Sequence, residues 1–145
     1  MNIPTLKIGN LEAKFPVIQG GMGIGVSLSK LAAAVANHGG IGIISGAQTG
    51  YKEDNFKTNN DQANVTGIQK EIRKARALSP DGIIGINFLQ ASHNYIELVN
   101  TAVQEKIDLI ISGAGLPKTL PEYVKGTQTK IAPIVSSGRA AKLLT

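Results

Sequence analysis

Five short apolar runs in this chain each close on residues that are small or carry an amide. The closing residues are Gln19-Gly20-Gly21-Met22-Gly23, Ser45-Gly46-Ala47, Asn87-Phe88, Ser112-Gly113-Ala114-Gly115 and Ser136-Ser137-Gly138. Glycine lets a flat ligand lie against the backbone and brings N–H groups within reach. Serine and asparagine add hydrogen bonds without adding charge. None of these ends offers a carboxylate pair, and the chain has no cysteine. Thiolate metal sites, thiol nucleophiles and disulfides are thereby excluded. A row of such ends makes a broad, neutral, amide-rich shelf, suited to an aromatic cofactor more than to a metal or a highly charged substrate. Taken singly, each glycine is explained by a plain turn; the set together carries the shelf.

Two familiar nucleotide signatures are missing. Gly21 and Gly23 do not open a G-x-G-x-x-G, because Val26 rather than glycine stands three positions after Gly23, and Ser45 rather than an acid closes the second run. A Rossmann dinucleotide site is therefore disfavoured, and there is no P-loop lysine motif. The chain has two histidines. His38 precedes Gly39-Gly40 at a helix end, where the helix dipole accounts for it. His93 follows the third run on the ligand side, where it could meet a substrate or simply start a helix beside Ser92. Lys118 lies on the same side and reads as solvated.

Positioning such ends takes strands that all point one way. The runs at 15–19, 41–45, 83–88, 109–112 and 131–135 alternate with helix-like stretches at 27–38, 62–78, 95–105 and 120–125, and another helix begins at 139. Ser27 or Ser29 is the expected cap of the first helix, with Gly39-Gly40 as its stop. Residues 46–62 read as a long loop. Leu6-Lys7-Ile8 and the 11–15 run flank Gly9-Asn10 as a hairpin, which in a barrel would cap the bottom. A β-α-β-α rhythm predicts a parallel sheet with outer helices. Length alone favours an open doubly wound sheet, since a (β/α)8 barrel takes about 250 residues.

Composition sets outer bounds. Hydrophobic residues make up 42% and charged residues 17%, so the chain is globular and reads as one domain over 1–145. Aromatics are only 4%, so aliphatic side chains must build the core. The start of the chain is not a signal peptide, and no apolar run approaches the roughly 20 residues of a membrane span. These features, with the absence of cysteine, give a cytoplasmic expectation. The net charge of +5 centres on Lys70, Arg73, Lys74 and Arg76, mixed with Glu71 and without interleaved aromatics. This is a solvated helix face rather than a nucleic-acid surface.

The segment from Phe15 to Gly23 (Phe-Pro-Val-Ile-Gln-Gly-Gly-Met-Gly) resembles the opening strand of the nitronate monooxygenase family, once called 2-nitropropane dioxygenases, which shares it with bacterial flavin-dependent enoyl-ACP reductases. The 31–44 segment resembles the family's next helix and strand. Ile84-Gly85-Ile86-Asn87-Phe88, Ile111-Ser112-Gly113-Ala114-Gly115 and Ile131-Ala132-Pro133-Ile134-Val135 resemble its third, fourth and fifth strands. Five pieces in order cover nearly the whole chain from Phe15 onward. The resemblance implies a parallel (β/α)8 TIM-type barrel, here an incomplete one of about five βα units, that binds FMN non-covalently. It implies that the Gly21-Met22-Gly23 backbone faces the flavin ring, that Asn87 bonds the flavin or its ribityl chain, and that Ser112, Gly113, Ala114 and Ser136 line the same pocket. His93 is the substrate-side expectation.

The resemblance also implies a Gly-Gly-His stretch carrying the catalytic histidine, and later glycine-rich loops that hold the FMN phosphate. The chain ends at Thr145 before either. The expectation is thus a truncated, inactive member, with open edges that invite a homo-oligomer. The activity implied is oxidation of alkyl nitronates with molecular oxygen; the alternative is enoyl-thioester reduction fed by NAD(P)H. From another class, the chain could be a non-catalytic fragment or a nucleotide-binding module, which a visible spectrum of the purified chain would distinguish.

Overall fold

In the computed structural model, which describes residues 3–144, the apolar runs pair in the order in which they occur along the chain. β1 (Leu6–Ile8) and β2 (Leu11–Ala13) make an antiparallel hairpin. β3 (Ile41–Ser45), β4 (Ile83–Leu89), β5 (Leu109–Gly113) and β6 (Lys130–Pro133) make a parallel sheet, β3-β4-β5-β6. Between and after them run α1 (Ser29–Asn37), α2 (Asn60–Leu78), α3 (Tyr95–Gln104), α4 (Leu120–Val124) and α5 (Gly138–Leu144). The order never reverses. A doubly wound sheet reverses at a switch point, whereas a barrel wall advances one strand at a time. Successive helices pack on one another, α1 on α2, α2 on α3 and α3 on α4, which places them on one face.

The run at 15–19 extends this order by one place, as an edge. Ile41 N donates to Val17 O at 2.9 Å, Gln19 N donates to Ile41 O at 3.0 Å, and Ile18 bridges Ile41 in parallel. It does not become a full strand. Pro16 has no N–H to give, and beyond Gln19 a side chain replaces the ladder: Ile43 N donates to Gln19 Oε1 at 3.2 Å, and Gln19 Nε2 donates to Ile43 O at 3.0 Å.

Strand alternation splits the core into two layers. Ile44, Ile84, Ile86, Phe88 and Ile110 face the helices, against Ala32, Ile68, Ile72, Leu98 and Val99. Each fully buried isoleucine contributes about 1.5–3 kcal/mol. Phe88 meets Tyr95 of α3 edge to face, with centroids 6.3 Å apart. α1 lies so close to β3 that a β-carbon at Gly42 would sit 1.8 Å from the Ala32 carbonyl oxygen. The opposite face carries Ile41, Ile43 and Leu109, and the hairpin covers them with Leu6, Ile8, Leu11 and Ala13. These residues occupy the N-terminal part of the strands, so the hairpin closes the bottom, as expected.

The helix boundaries follow the sequence to within a few residues, but the capping of α1 does not. Leu28 is its N-cap and no side chain caps it; instead the Ser29 N–H donates to Glu71 Oε2 of α2 at 2.8 Å. Ser27 is not a cap because its hydroxyl is engaged in the preceding loop. Gly39, at φ +86°, ends the helix as expected. α2 begins earlier than its apolar pattern, capped by Asn59 Oδ1, which accepts from Gln62 N at 3.2 Å. Among the described residues no helix is long and apolar enough to cross a membrane.

Candidate functional site

The strand register brings the small and amide-bearing ends side by side. Ser45 of β3 stands opposite Asn87 of β4, and Leu89 of β4 opposite Gly113 of β5. Asn87 shares the inner face with Gly85 and Ile83, and it is half-buried. Its backbone oxygen accepts from Gly46 N at 2.8 Å, while its side-chain amide has no hydrogen-bond partner among the described residues. A half-buried amide with unspent donors and acceptors at a strand tip is equipped to receive a ligand.

The 20–26 loop folds over these tips. A β-carbon at Gly21 would lie 2.7 Å from Cβ of Asn87 and 3.1 Å from Ile43 Cγ2, so only glycine fits this close crossing. The space a side chain would take at Gly21 is thus filled by Asn87 itself. A β-carbon at Gly23 would lie 3.0 Å from Ala47 Cβ. The Gly21 and Gly23 N–H groups have no partner among the described residues, whereas the Met22 N–H donates to Ser27 Oγ at 3.0 Å. Met22 is 62% exposed. Two backbone donors and one amide without partners among the described residues therefore lie by the ends of β3 and β4, with the exposed Met22 side chain in the same loop.

A second group forms over β5 and β6. Ala114, Gly115, Leu116, Ile134, Val135 and Ser136 line an open hollow of about 480 Å³. Gly113 faces Ile134, whose side chain is 58% exposed. Ala114 adopts φ +56°, a left-handed conformation that costs an alanine about 1–2 kcal/mol. Gln90 supports this turn by donating from Nε2 to Leu116 O at 3.1 Å. Across the two groups the exposed apolar side chains include Met22, Ile24, Val26, Leu89 and Ile134, and no acidic side chain belongs to either.

Two expected residues stand elsewhere. The Ser112 side chain points into the helical layer, where it is fully buried and shares a 2.8 Å hydrogen bond with the Tyr95 hydroxyl. Alternation requires this, since Leu109, Ile111 and Gly113 take the other face. Burial raises the Tyr95 phenol above its ordinary pKa, and the bond to Ser112 partly offsets that rise. His93 is 92% exposed and lies 3.3 Å from Asp61 Oδ2 at the start of α2. Its hollow of about 300 Å³ is shared with Gln90, Ser92 and Thr119 and includes none of Gly21, Met22, Gly23 or Asn87. His38 is at the bottom, with Nδ1 2.8 Å from Ala34 O.

The sequence reading did not single out Gln19 as a side chain or Ser27 as anything but a cap. The available signal was their placement, an amide closing a strand and a hydroxyl directly before a helix. Among the described residues no group of three or more metal-binding side chains occurs.

The chain has counterparts among known proteins. Residues 5–145 match the family model described as nitronate monooxygenase. Comparison with curated proteins returned no match. Among solved structures, FabK from Thermotoga maritima superposes with a TM-score of 0.73 at 27% identity, covering 91% of this chain and 37% of that one. Its M276A mutant gives 0.74 at 29%, over 91% and 40%. Nitroalkane oxidase from Streptomyces ansochromogenes gives 0.72 at 18%, over 91% and 43%, a likeness of fold. The chain thus spans less than half the length of each of these structures.

Proposed function

The chain belongs to the nitronate monooxygenase family, and on that premise we propose that its strand tips form one wall of an FMN site in an oxidoreductase that oxidises alkyl nitronates with molecular oxygen. The observation that carries this reading is the half-buried Asn87 amide, without a partner among the described residues, under the crossing of Gly21. An isoalloxazine presents carbonyl oxygens and ring nitrogens along one edge and apolar faces elsewhere. The free Gly21 and Gly23 N–H groups and the Asn87 amide match that edge, and Met22 offers an apolar contact to the ring.

When bound, FMN supplies the electron-transfer chemistry that no side chain here can perform. The residues of this chain bind and orient. Asn87 would hold the flavin edge, with Nδ2 available to donate and Oδ1 available to accept. The Gly21 and Gly23 N–H groups would favour electron density on a flavin held there, as oriented dipoles do. The exposed apolar side chains Ile24, Val26, Leu89 and Ile134 would suit the aliphatic part of a nitronate. No residue of the site is placed to act as a base; neither histidine reaches the Asn87 wall.

Titration of the 145-residue chain with FMN tests this. Flavin fluorescence is expected to quench saturably, and Asn87→Ala to weaken binding by about tenfold, the loss of a pair of buried hydrogen bonds. Unchanged flavin fluorescence with a chain shown to be folded by circular dichroism would contradict it. Oxygen uptake with an alkyl nitronate, set against NAD(P)H consumption with an enoyl thioester, assigns the substrate.

A further inference from the structure

The 20–26 loop is glycine-rich and exposed, yet it must hold two N–H groups steady. The structure shows what holds it. Ser27 is 1% exposed. Its hydroxyl accepts from Met22 N at 3.0 Å and from Gln19 Nε2 at 3.1 Å, and donates to Gly20 O at 3.1 Å. Its backbone N donates to Met22 O at 2.9 Å, and its carbonyl accepts from Ser45 N at 2.8 Å. Gln19, the other foot of the loop, is locked to β3 through both polar atoms of its amide, at Ile43 N and Ile43 O. One hydroxyl therefore ties the entry, the middle and the exit of the loop to each other, and its own backbone ties them to the end of β3.

We propose that Ser27, with Gln19, is the positioning residue of the flavin-facing loop: its hydroxyl fixes the Gly21 backbone against Asn87 and the Gly23 backbone against Ser45 and Ala47 without itself touching the ligand. This rests on the FMN reading above. A hydroxyl is the one small group that can accept two hydrogen bonds and donate a third at this place. Alanine would leave Met22 N, Gly20 O and one Gln19 donor without it. The loop has four glycines among residues 20–26, so its ordering entropy is high and the tether must offset it.

The test compares the 145-residue chain with Ser27→Ala, Ser27→Thr and Gln19→Glu, by amide hydrogen exchange and by FMN titration. In Ser27→Ala the 20–26 amides are expected to exchange about tenfold faster or more, with β4 and α3 amides unchanged. FMN binding should weaken by about tenfold, and Ser27→Thr should restore both. Gln19→Glu, which keeps the acceptor for Ile43 N but loses the donors, should loosen the same amides and serves where Ser27→Ala does not fold. Unchanged loop exchange in the folded variant overturns the proposal, and so does faster exchange with unaltered FMN affinity. A wild-type chain that binds no FMN while its loop still loosens on substitution counts against the FMN reading alone, and leaves the tether standing.

Discussion

Asn87 and Ser112 illustrate how much a single strand position decides. Both close a strand at the same end of the sheet, and both are polar. In β4, Gly85 and Asn87 share the inner face, so Asn87 meets the loop of glycines. In β5 the five residues Leu-Ile-Ile-Ser-Gly are nearly all apolar, so the sequence gives no sign of which parity faces inward. The structure assigns Ser112 to the helices, and its hydroxyl becomes a core hydrogen bond. Tyr95→Phe is accordingly expected to cost about 1 kcal/mol at pH 7, by leaving the buried Ser112 hydroxyl without its partner. Burial raises the Tyr95 pKa in the fold, so its contribution is fully present below the ordinary tyrosine value near 10 and is lost as pH rises through the higher folded value. The stability advantage of wild type over Tyr95→Phe should therefore shrink from pH 7 to about pH 11 in urea titrations; an advantage that stays constant would show the phenol not to be perturbed.

At the scale of elements, close approach and a few partly buried ion pairs fix how the layers meet. α1 crosses β3 at Gly42 with no room for a methyl group. Gly42→Ala should destabilise by about 3 kcal/mol, seen as a lower urea midpoint. Arg76 and Asp108 join three elements: Arg76 Nη1 donates to Gly82 O at 2.8 Å, Arg76 Nη2 donates to Asp108 Oδ2 at 2.6 Å, and Ile84 N donates to the same Oδ2 at 2.8 Å. Asp108→Ala leaves the Ile84 N–H without this acceptor, so a loss of about 1–3 kcal/mol is expected. The exposed Lys7–Glu12 pair should give less than about 1 kcal/mol in a double-mutant cycle. Most elements were legible because their apolar periods and stops are local: Gly39 after α1, Ser79-Pro80 after α2, and the hairpin around Gly9-Asn10. The edge at 15–19 and the start of α1 were less so. In both, a side chain reaching across the sequence does what the local backbone pattern does not: Gln19 bonds Ile43 in place of a strand ladder, and Glu71 of α2 replaces a serine cap.

For the molecule as a whole, strand order is what the sequence left open and the structure settles. Length pointed to a doubly wound sheet and the family resemblance to a barrel wall; the sequential order with helices on one face is the barrel wall. Its two ends differ in kind. The hairpin seals the bottom with aliphatic side chains, while the top keeps N–H groups and an amide without partners among the described residues, together with exposed apolar residues. The proposed site requires the flavin to lie against that top. Two-dimensional amide NMR of the 145-residue chain titrated with FMN tests it most directly. Shifts are predicted to concentrate at Gly21, Met22, Gly23 and the Asn87 side chain, extending to Gly113 and Ala114. Shifts that centre instead on the bottom, at Lys14, Gly39 and Gly82, would contradict it.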